Sequence, residues 1–344
     1  MRRVEAEVNP GVILADPPAS LVADLARELA RIHALPLDAV PGIPVMDTAA
    51  ALSELRARFE AYGGDRPIIA LAIRWCEDHL PDAPAALSLV HGDFRMGNIM
   101  VDSEGLAAVL DWELAHLGDP HEDLAYGCMT VWRFGHIGRP AFGAGTLEAL
   151  FAAYEDAGGT KVDPARFRFW LVYRTLWWAL GCLQMGEIWR QGIDRTLERA
   201  VIGRRTSENE LDLLLLLEED APAAERVPVS PEAGASVRRQ GEPSAVELLE
   251  AVRDWIDADV KAKAQGREKF MAAVAINALG MVIRETARPV MIHDKALADG
   301  LLSGELSLAT AGLLARLRVG ALAKLANDVP KYAALAVAEE KWRA

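Results

Sequence analysis

Two short apolar runs, Ile99-Met100-Val101 and Leu106 to Leu110, flank the turn Asp102-Ser103-Glu104-Gly105 in a chain whose other apolar positions recur mostly at helical spacing. That pattern predicts a β-hairpin. A hairpin goes out and back, so the residues before its first strand and after its second return to the same place. The leading segment is His91-Gly92-Asp93-Phe94-Arg95-Met96-Gly97-Asn98, and the trailing one is Asp111-Trp112-Glu113. Both are polar, and the leading one follows a short buried run at 87–90.

Around the hairpin the spacing predicts helices. Leu21, Leu25, Leu29 and Ile32 share one face of a helix over 19–35, with Ser20 as its N-cap. Further helices are expected over 49–62, 67–80, from about 121, over 164–191 and over 207–219, the last opened by a capping box of Ser207 and Glu210. Four prolines among Ala, Gly and Ser mark 220–243 as a linker. Beyond it, Ser244 and Glu247 form a second capping box for a helix burying Val246, Leu249, Val252 and Ile256. Helical stretches near 267–287, 307–326 and 330–342 follow. The expected fold is mainly α, with a small β component (α+β): one domain over 1–219, the linker, and an all-α domain over 244–344.

Phosphoryl transfer needs a group that orients the acceptor hydroxyl and takes its proton, and divalent cations that offset phosphate charge. A carboxylate suits the first task, while an amide oxygen and a second carboxylate suit Mg2+, a hard ion. The pattern HxDxxxxN spans 91–98, with Asp93 as base and Asn98 as ligand, and Asp111 follows thirteen residues later. HGDFRMGNIM, then VLDWE, then Gly118-Asp119-Pro120-His121-Glu122-Asp123-Leu124-Ala125 resemble the aminoglycoside phosphotransferase and choline-kinase-like family of the protein-kinase-like superfamily. LARELARIHAL and the Trp-rich helix extend the likeness over residues 1–215. The resemblance implies a kinase-like C-terminal lobe with the hairpin at its catalytic loop. It implies ATP and Mg2+ as cofactors, and transfer of the γ-phosphate to a small-molecule hydroxyl. Position by position it implies Asp93 as catalytic base, Asn98 and Asp111 as ligands of the metal that carries the nucleotide, and Asp123 as a brace for the loop. Arg95 would set a cation against the transferring phosphate. Arginine at that position resembles the subgroup related to the domain fused to acyl-CoA dehydrogenases, which points to a hydroxyacyl thioester acceptor.

Other residues admit plainer readings. His91 reads as a buried, loop-shaping residue rather than a proton shuttle. Glu113 reads equally as a ligand of a second Mg2+ and as a solvated strand-end carboxylate. Asp119 reads as a cap or turn residue. His116 and His121, with Asp119 and Glu122, sketch a zinc site, but the kinase-like reading already accounts for the segment. Trp170, Trp177, Trp178 and Trp189 read as packing, and Asn277 as a buried, satisfied amide.

A kinase-like enzyme places a Gly-rich phosphate cover and an ATP-pairing lysine ahead of this region. No GxGxxG precedes residue 91, and the first lysine is Lys161. Residues 1–9 resemble the hinge that follows a nucleotide lobe, so the chain is expected to start at that border. Three readings follow: a start-site error or fragment, one half of a two-polypeptide enzyme, or a non-catalytic pseudoenzyme or scaffold. The C-terminal helices resemble an uncharacterised module attached to such phosphotransferases and are expected to meet a protein partner or a second copy.

The formal net charge is −13, yet residues 242–344 balance 14 basic against 14 acidic side chains, so the acidic surplus lies in 1–241. That argues against a nucleic-acid surface. Cys76, Cys128 and Cys182 fall outside any CxxC pair and read as reduced thiols of a cytoplasmic protein. Leu176 to Met185 is about half the ~20 residues a bilayer requires, so no membrane partner is expected.

Overall fold

A computed structural model of the chain describes residues 6–62, 64–81, 87–194, 197–228, 245–290 and 293–342. Helix α1 (Pro10–Ala15) opens on Asn9, whose side chain accepts from the Gly11 N–H, and α2 (Leu21–His33) follows. Leu21, Leu25, Leu29 and Ile32 are buried along α2, as their spacing predicts. Ser20 stands at the N-cap position but makes no capping bond. Its backbone is already helical, and its hydroxyl donates to Asp24 Oδ2 at 2.7 Å, because a carboxylate is a strong acceptor one turn away. Helix α3 (Thr48–Ala61) is capped instead by Asp47, which accepts from the N–H groups of Ala49 and Ala50. Helix α4 (Pro67–Asp78) starts on a proline, whose missing N–H costs nothing in a first turn.

Four short strands follow: β1 (Ser88–Val90), β2 (Ile99–Asp102), β3 (Gly105–Val109) and β4 (His116–Gly118). Strands β2 and β3 form the predicted antiparallel hairpin, with a bulge between Met100 and Val101. Strand β4 has no counterpart among the expectations, since three residues show no period. It forms on the edge of β1, pairing Ser88 with Gly118 and Val90 with His116. Leu117 is also held by the backbone of Pro44 and Met46, and Glu7 pairs with Val101 across from the hairpin. Helices α5 (His121–Tyr126), α6 (Leu147–Asp156) and α7 (Pro164–Arg190) complete this part, with α6 packed on α2 through buried Leu150 and Tyr154.

Contacts divide the chain into two units: Met1–Ala57 with Ala72–Trp177, and Arg58–Leu71 with Trp178–Ala344. This division runs through α7. The second unit contains α8 (Leu197–Arg204), α9 (Thr206–Leu217), α10 (Ala245–Trp255) with a π-helical continuation over Ile256–Lys261, α11 (Gly266–Ala287), α12 (Lys295–Ser303), α13 (Leu313–Asp328) and α14 (Ala333–Trp342). Helix α9 packs on both α13 and α14.

Several local expectations change here. Ser207 and Glu210 do not form a capping box: α9 starts one residue earlier, Ser207 Oγ donates to the Arg204 carbonyl at 3.0 Å, and Glu210 is taken by Arg66 through two bonds of 2.9 and 2.7 Å. A buried guanidinium outcompetes a helix-end N–H for the carboxylate. The linker's first residues are docked rather than loose: Ala221 is buried, Glu225 accepts from the Gly312 N–H, and the Val227 carbonyl accepts from Arg318. Residues 229–243, Ser244 and the side chain of Glu247 lie outside the described residues. Of the side chains expected to be buried here, Val252 and Asn277 are exposed, and Val246, Leu249 and Ile256 are half-buried. Among the described residues one helix, Gly266–Ala287, is long and apolar enough to cross a membrane.

Candidate active site

One buried carboxylate pins the loop between β1 and β2. Asp123, on α5, accepts from the backbone N–H of His91 at 2.7 Å and of Gly92 at 2.9 Å, each on a separate oxygen, and meets His33 Nε2 at 3.2 Å. Burial pushes the Asp123 carboxyl up, but the hydrogen bonds from the His33 ring and the His91 backbone outweigh it and hold the pKa below the usual value. His33 Nδ1 lies 2.7 Å from Tyr154 Oη. With Nε2 donating to Asp123, Nδ1 accepts from the phenol. His91 is fully buried and joins two chain segments: Nδ1 accepts from the Asp93 N–H at 3.2 Å, and Nε2 donates to the Leu110 carbonyl at 3.0 Å. Gly92 sits at φ +80°, and a Cβ there would lie 2.5 Å from the Leu114 carbonyl oxygen. Only glycine lets the loop pass so close to the segment after β3.

Asp93 is held on both oxygens. Oδ1 accepts from Arg95 Nε at 2.9 Å, and Oδ2 from Asn98 Nδ2 at 2.5 Å. The Arg95 guanidinium lies 4.4 Å above the Trp132 ring, and burial together with the Asp93 carboxylate raises the pKa of Tyr126 beside it. Strand pairing then brings in Asp111. The ladder runs from Ile99↔Val109 to a bond from the Leu110 N–H to the Asn98 carbonyl at 2.7 Å, so Asp111 is one residue past the rung that carries Asn98. Asp111 is exposed and adopts φ +65°, a left-handed conformation costing about 1 kcal/mol for a residue with a Cβ. The Trp112 ring lies against His91, with centroids 4.5 Å apart and planes tilted by 58°. Glu113 is exposed. Asp93, Asn98 and Asp111 therefore gather at one end of the hairpin, with Arg95 on Asp93 and with His91 and Asp123 behind them. Among the described residues no three His, Cys, Asp or Glu side chains form a metal cluster. His116 pairs with Glu122, and His121 with Asp119.

Asp119 makes a turn just before α5, whose N-cap position is Pro120: it accepts from His121 N–H at 3.0 Å and Nδ1 at 2.7 Å, and it meets Arg166 Nη1 at 2.9 Å. Its burial is outweighed by these donors, and the pKa falls to about 2. Nothing in the spacing singles out Arg174 of α7, which is 4% exposed. It donates to the Gly92 carbonyl through Nη2 and meets Glu122 Oε1 at 3.2 Å through Nη1. Its guanidinium lies 4.3 Å from the ring centroids of both Tyr126 and Trp177. Glu122 Oε2 lies 3.1 Å from His116 Nε2, and His116 Nδ1 lies 2.9 Å from the Leu114 carbonyl. Both ring nitrogens face acceptors, so both carry protons. Burial alone would lower the His116 pKa, but Glu122 raises it above the ordinary value. The available signal was an arginine set among apolar and aromatic residues in the middle of a Trp-rich helix, since a buried charge requires partners.

Residues 1–170 match the family model described as "Phosphotransferase enzyme family". That segment belongs to this family. It contains the whole of the 91–98 loop, the hairpin and Asp123. Acyl-CoA dehydrogenase family member 10 of Mus musculus is 32% identical over 146 residues, which are 37% of this chain and 13% of that protein. Acyl-CoA dehydrogenase family member 11 of Pongo abelii is 28% identical over 215 residues, 58% of this chain and 26% of that protein. The chain thus spans about a quarter or less of the length of these curated relatives. A solved structure from Ralstonia eutropha, described as a "putative aminoglycoside phosphotransferase", superposes with a TM-score of 0.51 at 21% identity, covering 64% of this chain and 72% of that one. The phosphotransferase lobe is accordingly kinase-like in fold, mainly helical with the short hairpin at its loop.

Proposed function

We propose that this chain supplies the acceptor-activating and metal-holding part of an ATP- and Mg2+-dependent phosphotransferase acting on a small-molecule hydroxyl. The observation that carries this reading is Asp93, held between Asn98 and Arg95 at the hairpin end that also presents Asp111. The donor set suits Mg2+, which takes oxygen ligands. With Asn98 Nδ2 committed to Asp93, the amide has Oδ1 to offer, and Asp111 adds an exposed carboxylate one residue beyond the same rung. When bound, the metal nucleotide supplies the phosphoryl group and the charge that offsets its oxygens.

The chain's own residues do the rest. Asp93 orients the acceptor hydroxyl and takes its proton on a carboxylate oxygen. Arg95 adds positive charge at the same spot. His91 and Asp123 hold the loop in advance, so little reorganisation is left for the reacting complex. Arg95 and the names of the relatives make a hydroxyacyl thioester the first acceptor class to test. On this reading the phosphate cover and its lysine come from polypeptide other than residues 1–160. Burial raises the Cys128 and Cys182 thiols to about 12, and their free, inert state suits a cytoplasmic protein.

The test is Asp93→Ala in a protein carrying residues 1–344 together with a nucleotide-binding lobe, assayed for transfer of labelled γ-phosphate. The expected loss is about 10² to 10⁴-fold with an unchanged unfolding midpoint. Full turnover in the variant removes Asp93 from the role, and no transfer by the parent protein favours the scaffold reading.

A further inference from the structure

We propose that Arg174 is a positioning residue: with Glu122 and His116 it forms a charged clamp that fixes Gly92 of the catalytic loop against Leu114, and so sets the spacing between Asp93 and Asp111. Its catalytic consequence rests on the phosphotransferase reading, whereas the clamp itself does not.

Gly92 precedes Asp93, and both of its backbone polar groups are claimed by charged side chains from different helices. Its N–H goes to Asp123 of α5, and its carbonyl goes to Arg174 of α7. Across the gap, Leu114 follows the Asp111–Glu113 segment, and its carbonyl meets His116 Nδ1 at 2.9 Å. Glu122 closes the circuit, with one oxygen 3.2 Å from Arg174 and the other 3.1 Å from His116. A change in one loop is therefore felt by the other through two charge-assisted contacts and one buried carboxylate.

Stability alone does not call for such a triad, because buried ion networks are often matched or bettered by apolar side chains of similar volume. A guanidinium supplies direction instead. Its planar fork meets Gly92 and Glu122 at once, and the rings of Tyr126 and Trp177 lie against it. Tyr126 is also the neighbour of Asp93. The plane of one side chain thus governs the backbone and the surroundings of the base.

Arg174→Met, Arg174→Lys and Glu122→Gln test this in two ways. In the chain itself, amide hydrogen exchange over residues 91–98 is expected to quicken about tenfold in Arg174→Met while the amides of α2 and α6 keep their protection. In the protein that also bears a nucleotide lobe, kcat is expected to fall about 100-fold with KM for Mg-ATP within about twofold. Arg174→Lys keeps the charge without the fork and is expected to fall between wild type and Arg174→Met in both readouts. Where Arg174→Met does not fold, Glu122→Gln, which keeps the shape and loses the charge, gives the same comparison. Unchanged exchange over 91–98 in a folded variant overturns the clamp, and unchanged kcat beside faster exchange overturns the positioning role. A parent protein without transfer activity counts against the proposed function, and the exchange comparison still decides the clamp.

Discussion

At Asp119, burial and hydrogen bonding pull in opposite directions. Burial raises the pKa, the His121 donors lower it, and the outcome is a fall from 3.8 to about 2. Because the folded value lies below the unfolded one, these bonds contribute stability above pH 3.8 that is lost as the pH falls through about 2. The shift corresponds to about 2 kcal/mol. Urea unfolding between about pH 5 and about pH 2 is expected to show that loss in the wild type, and Asp119→Asn is expected to lack its share of the slope. The Gly-Asp-Pro run made Asp119 legible as a cap or turn residue. Its contact with Arg166, 47 positions on, was not legible, because no local spacing relates the two. Asp123 repeats the lesson: its motif marked it for the loop, but His33, 90 residues earlier, looked like an ordinary member of an amphipathic helix.

Among the elements, the β2–β3 hairpin was readable from its turn and apolar alternation, and its register places Asp111 beside Asn98 without any long-range information. Strand β4 was not readable, since three residues take strand geometry only when β1 is there to pair with them. The meeting of these elements depends on Gly92. Gly92→Ala combines a left-handed backbone with a 2.5 Å approach to the Leu114 carbonyl, which the backbone must relieve. The expected cost is about 2 kcal/mol by chemical denaturation, together with a change in emission from Trp112, whose ring rests on His91 in the same loop. The capping box assigned to Ser207 and Glu210 failed at this scale for the opposite reason. Its local pattern was sound, but Arg66 offered Glu210 a better partner from 144 residues away.

For the molecule as a whole, the second unit is organised by buried charges that no helical period discloses. Glu218 is fully buried and is approached by Arg318 at 3.1 and 2.8 Å, by Trp342 Nε1 at 2.5 Å and by Lys341 at 2.5 Å. Asp328 likewise gathers Arg204 and Lys324, while Asn327 and Tyr332 tie the same stretch to Arg288 and Asp212. Glu218→Ala would leave Arg318, 2% exposed, without its carboxylate, and is expected to cost about 3 to 5 kcal/mol in urea unfolding. Replacing Glu218 and Arg318 together by Met is expected to recover most of that loss, since an unpaired buried charge costs more than a missing pair.

The amino-acid sequence by itself determined the helical periods, the hairpin and the HxDxxxxN loop, because these depend on neighbours within a few residues. It also determined the adjacency of Asp93, Asn98 and Asp111, because a hairpin converts sequence order directly into proximity. Only the tertiary structure decided which partner each buried charge meets: Arg174 the Gly92 carbonyl, 82 residues away, and Arg318 the Glu218 carboxylate, 100 away. A buried charge announces that it needs a partner, but the partner's identity follows from helix packing, which is settled only when the chain has closed on itself.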